Sequence, residues 1–128
     1  MFRHTLASGL VLAATSLVMA GAPAVADVYA PYARAGAIID ADGTLNNAKN
    51  ITSARRVAVG SYCVEVAETV NAANAIIQLT PRHARRLPHI AYRNPSALCG
   101  QTNNTVAVQV YSTVTNQLAD SGFDLAIL

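Results

Sequence analysis

Apolar and polar positions alternate with a period of two in several short runs, each bounded by turn residues. In Gly60-Ser61-Tyr62-Cys63-Val64-Glu65-Val66, Tyr62, Val64 and Val66 point one way and Ser61, Cys63 and Glu65 the other. That alternation in β-branched and aromatic residues predicts a half-buried strand, taken here as the centre of the fold. Across residues 105–113, Val106, Val108 and Val110 alternate with Ala107, Gln109 and Tyr111 and predict a second strand. Further strands are expected over residues 32–40, 51–59, 75–80, 89–93 and 123–127. In the first of these Ala33, Ala35, Ala37 and Ile39 share a face; in the last, Phe123, Leu125 and Ile127 do. Asp40-Ala41-Asp42-Gly43 reads as a tight turn, because Asp-Gly tolerates positive φ. The Asn-rich residues 45–50 read as a loop or a short edge strand, and residues 68–74 as a connection, Asn and Thr being poor helix formers. About seven short strands with turns between them predict an all-β fold: a compact antiparallel β-sandwich or small barrel.

The N-terminus carries a different pattern. A short basic start with Arg3 precedes an unbroken run of apolar and small residues over 6–20, and Ala24-Val25-Ala26 follows. This is the three-part pattern of a secretory signal peptide, and the run is short for a membrane span. Residues 1–26 are therefore read as a signal peptide, 27–31 as a linker and 32–128 as a single β-domain. The expected location is secreted, with no membrane association after cleavage.

Export changes the meaning of the two cysteines, Cys63 and Cys99. In an oxidising compartment a lone pair should form one disulfide. In the chain-entropy model, closing a loop of that length contributes about 4 kcal/mol. Together with His83 and His89 the pair lacks the close ligand spacing of a zinc site, so neither metal nor cofactor is expected.

Composition narrows the partners. Charged residues make up only 12% of the 128, and the formal net charge is +2. So small a surplus gives no reason to expect a nucleic-acid partner. Tryptophan is absent and aromatics are 5%, so the core must be aliphatic. The densest basic segment is the proline-bracketed stretch 81–88, with Arg82, Arg85 and Arg86. These three arginines are the candidate anion-binding residues, matched to a phosphate or an acidic glycan; the alternative is a charged surface loop. Tyr29, Tyr32, Tyr62, Tyr92 and Tyr111 are too dispersed in sequence to read as one sugar-stacking platform. No G-x-S-x-G or H-E-x-x-H stretch occurs, and Glu65 and Glu68 fall on opposite faces of a strand. No catalytic residue is expected.

Three stretches taken in order carry a resemblance. They are Gly36-Ala37-Ile38-Ile39-Asp40 with Asp42-Gly43-Thr44; Asn50-Ile51-Thr52-Ser53-Ala54-Arg55 leading to Gly60-Ser61-Tyr62-Cys63-Val64; and Val106-Ala107-Val108-Gln109-Val110-Tyr111 with Asp120-Ser121-Gly122-Phe123. In this order they resemble small secreted β-domain proteins of actinobacterial type and, more distantly, a β-module of phage tail-fibre and other surface proteins. The resemblance implies a compact antiparallel β fold and brings no activity or catalytic residue with it. The expectation is an exported, non-enzymatic binding module for a cell-surface glycan or protein. The alternatives are a structural module that self-associates through exposed strand edges and, more distantly, a secreted hydrolase using His83 or His89 with a serine.

Overall fold

The computed structural model describes residues 25–128, so the expected export segment lies outside the described residues except for Val25 and Ala26. The strands, in chain order, are β1 (Ala26–Asp27), β2 (Ala35–Ile39), β3 (Leu45–Lys49), β4 (Ile51–Ala58), β5 (Ser61–Val66), β6 (Ile77–Arg82), β7 (His89–Arg93), β8 (Thr105–Tyr111) and β9 (Gly122–Ile127). They form two sheets, ordered β1-β3-β2-β9-β6 and β4-β5-β8-β7. Both sheets are open, and the architecture is a sandwich.

The expected alternation builds the core. Tyr62, Val64 and Val66 of β5 and Val106, Val108 and Val110 of β8 form one inner face. Ala35, Ala37 and Ile39 of β2 and Phe123, Leu125 and Ile127 of β9 form the other. Small residues oppose large ones across the β2–β9 ladder: Ala35 lies against Ile127 and Ala37 against Leu125. The rings of Tyr62 and Phe123 bridge the two sheets edge to face, with centroids 5.3 Å apart and planes at 68°.

Three expectations need correction. The described residues form nine strands, where the sequence predicts about seven. The additional ones are β1 and the Asn-rich β3, whose only buried residue is Ala48. Asn is a poor strand former, but ladders to β1 and β2 on both sides of β3 override local preference. The segment read as a linker, residues 27–31, is tied down. Asp27 pairs in parallel with Ala48, Val28 N–H donates to Ala48 O, and the Lys49 ammonium donates to the carbonyls of Ala30 and Ala33. Finally, β5 is buried on both faces except at Glu65. A loop over residues 94–104 folds across its outer face, where the Cys63–Cys99 disulfide and Ala107 form a second small cluster. The disulfide closes a loop of 36 residues and joins the approach to β8 to the central strand.

Candidate functional site

The site grows from one polar knot. Gly60 closes the β4–β5 turn at φ +62°, and an added Cβ there would lie 2.6 Å from Val110 O, so glycine is required. Its N–H donates to Asp120 Oδ1 at 2.7 Å, and Arg56 Nε donates to the same oxygen at 2.9 Å. The Tyr62 hydroxyl donates to Ala41 O at 2.7 Å and accepts from Ser121 N–H at 3.2 Å. Arg56 first, and then the Gly60 N–H, hold the Asp120 carboxyl below the usual range. Burial raises the Tyr62 hydroxyl, which keeps it a proton donor. The knot ties the Asp40–Gly43 turn, the start of β5 and the approach to β9 to one another.

Above the knot lies a cleft of about 440 Å³. It is lined by Arg82 at the end of β6, by Arg85 and Arg86 of the β6–β7 connection, and by Ser112, Thr113 and Val114 after β8. Asp120, Ser121 and Gly122 line it as well. Cavities of this size suit a small ligand or one segment of a larger one.

The three candidate arginines therefore do line one cleft, but they are not equivalent. Arg82 is the last residue of β6, pairing with Gly122, and does not belong to the loop in which the sequence placed it. Its Nε donates to Asp124 Oδ1 at 2.6 Å. Asp124 neutralises it, and the hydrogen bond raises the guanidinium pKa further. Among the described residues the only ion pairs are this one and Arg56–Asp120. Asp120 and Asp124 are thus matched, Asp40 stands near Arg82 as a third acid, and Arg85 and Arg86 stay exposed. In the same cleft Ser112 Oγ accepts from Val114 N–H and Thr115 N–H. Those bonds leave its hydroxyl proton available to a ligand.

The five tyrosines do not gather into one platform, although Tyr92 and Tyr111 line a common groove. Tyr62 is buried, Tyr29 and Tyr32 are exposed near the N-terminus of the described chain, Tyr111 lines the cleft and Tyr92 lies on β7. His83 lines the cleft in the left-handed region at φ 57°, whereas His89 is on β7. Among the described residues no group of His, Cys, Asp and Glu side chains is placed to hold a metal ion. No helix among them is long and apolar enough to cross a membrane. The sequence reading missed Asp120 and Asp124 as the acids that decide the cleft's charge. No protein-family model matches the chain, and comparison with characterised proteins and with solved structures finds no match.

Proposed function

We propose that the protein is an exported, non-enzymatic binding domain whose cleft takes an acidic glycan or a similar polyanion. One observation carries this reading. Asp120 and Asp124 are both satisfied by arginines of the scaffold, so Arg85 and Arg86 face the cleft with their donors uncommitted. Guanidinium forks match carboxylate and sulfate groups, and the hydroxyls of Ser112 and Thr113 match the sugar hydroxyls between them. The internal disulfide fits an oxidising compartment.

The self-association reading has less support. Three of the four sheet edges are blunted: β1 has two residues, β4 has register shifts at two places, and β6 carries Pro81. For the hydrolase reading, His83 and Ser112 line the same cleft, but among the described residues no hydrogen bond joins a histidine to a serine.

The test is titration with a sulfated polysaccharide at two salt concentrations. Exposed charge pairs contribute about 0.2–1 kcal/mol each, so Arg85→Ala with Arg86→Ala should weaken binding by about 2–30-fold. Added salt should weaken the unaltered protein in the same direction. Binding that is indifferent to both changes returns the 82–88 segment to an ordinary charged surface.

A further inference from the structure

The fourth sheet edge, β7, is different. We infer that β7 is a docking edge for an extended peptide of a partner protein in which apolar and acidic residues alternate, added as a fifth strand beside β7.

Backbone direction shows which groups are free. Val110 N–H donates to Gly60 O, and Val110 O accepts from Ala119 N–H, so both backbone groups of Val110 point away from β7. In an antiparallel ladder the bonded pairs alternate, so His89, Ala91 and Arg93 bond to Tyr111, Gln109 and Ala107. The N–H and C=O groups of Ile90 and Tyr92 therefore point off the open edge of the sheet, where no strand follows. The same parity on β6 puts Pro81 where its missing N–H would have faced outward: Leu128 N–H donates to Ile76 O, so Ile76, Gln78 and Thr80 face β9. Thus β6 is blunted by proline. No proline or register shift interrupts β7.

The two faces of that edge specify the occupant. Ile90 and Tyr92 share their face with the core and, with Ile77 and Leu79 of β6, line an open groove of about 370 Å³. Tyr92 is 42% exposed there. A strand bonded to β7 would lay every second side chain over this groove, which calls for apolar residues. Its other side chains would stand beside His89 and Arg93 on the outer face, which calls for acids. A second copy fits poorly, since antiparallel pairing centred on Ala91 sets His89 of one chain against Arg93 of the other.

The probe is a blocked heptapeptide, Val-Glu-Val-Glu-Val-Glu-Val, titrated into the protein and followed by amide exchange. Protection should rise at Ile90 and Tyr92 and stay unchanged at Ala91, already bonded to Gln109. Replacing Glu by Lys in the peptide should weaken binding by about tenfold, and His89→Glu with Arg93→Glu should reverse that preference. N-methylating one alternate set of peptide amides should abolish binding; methylating the other set should leave it intact. Equal binding by both methylated sets, or no protection at Ile90 and Tyr92, overturns the inference. A concentration-dependent dimer that protects those two amides without peptide also overturns it, and assigns the edge to a second copy. Loss of polysaccharide binding in the Arg85 and Arg86 variant leaves this result untouched, so the two sites are judged separately.

Discussion

Removing the Cys63–Cys99 bridge is the perturbation whose size follows most directly from the structure. The bond closes 36 residues. Releasing it returns about 13 cal/mol/K of entropy to the unfolded chain, or about 4 kcal/mol at 25 °C. The replacement side chain matters. Cys63 Sγ lies 3.7 Å from Leu98 O, and Cys99 Sγ lies 3.8 Å from Tyr62 O. Serine at each position has a carbonyl to donate to, so Cys63→Ser with Cys99→Ser measures the tether more than an unsatisfied hydroxyl. The expected loss is about 2–5 kcal/mol, with a thermal midpoint about 10–20 °C lower. It is read by urea unfolding of both forms and by calorimetry. Amide exchange should quicken first over residues 94–104, because the β5–β8 ladder is independent of the bridge. A loss below about 1 kcal/mol would refute the entropic reasoning, since the unfolded chain would then already hold the two positions together. Two free thiols in the unfolded, unreduced protein would remove its premise.

Two further outcomes test the knot. Tyr62→Phe keeps the ring against Phe123 but strips Ala41 O and Ser121 N–H of their partner, and should cost about 1–3 kcal/mol in urea unfolding; an unchanged midpoint would show that water replaces the hydroxyl without penalty. Asp120 has its pKa lowered by folding, so its contribution is present above the unfolded value of about 3.9 and is lost as pH falls through the lower folded value. Stability measured between pH 6 and pH 2 should therefore drop on acidification below about pH 4, and Asp120→Asn should shallow that drop; Asp42, lowered in the same sense by its hydrogen bond from Thr44, retains its share. Identical acid profiles for the two proteins would show that the Arg56–Asp120 pair does not survive in solution.

The sequence carried the core but not the charge pairing, and the difference is physical. In β5, β8 and β9 every second residue is a large apolar one, and side-chain period alone selects the buried face. The Asn-rich β3 offers no such signal. In Leu45–Lys49 only Leu45 and Ala48 are apolar, three apart, so the period is broken; ladders on both flanks, invisible locally, make it a strand. Arg82 looked like a loop residue because Pro81 precedes it. That proline sits where an edge strand loses no ladder bond, so β6 continues through it to the partner of Gly122. Asp120 was in plain view within Asp120-Ser121-Gly122-Phe123, yet its role depends on Arg56, 64 positions away. Local pattern holds no record of such a pairing.

The distribution of charge links the two proposed surfaces. Charged residues are few, so each commitment is consequential. Asp120 and Asp124 are spent on scaffold contacts with Arg56 and Arg82, and Glu65 accepts from Ser53 Oγ at 3.0 Å. Arg85 and Arg86 in the connection from β6 to β7, and His89 and Arg93 on β7 itself, are left exposed, as is Arg55 on β4. That connection walls the cleft and leads directly into the open edge. A near-neutral protein can thus present a positive flank, because Asp120 and Asp124 are held by Arg56 and Arg82. Both proposed surfaces would select acidic partners for the same reason, but they would read different shapes. The cleft matches side-chain donors to a polyanion, while β7 offers backbone groups that only an extended polypeptide can pair.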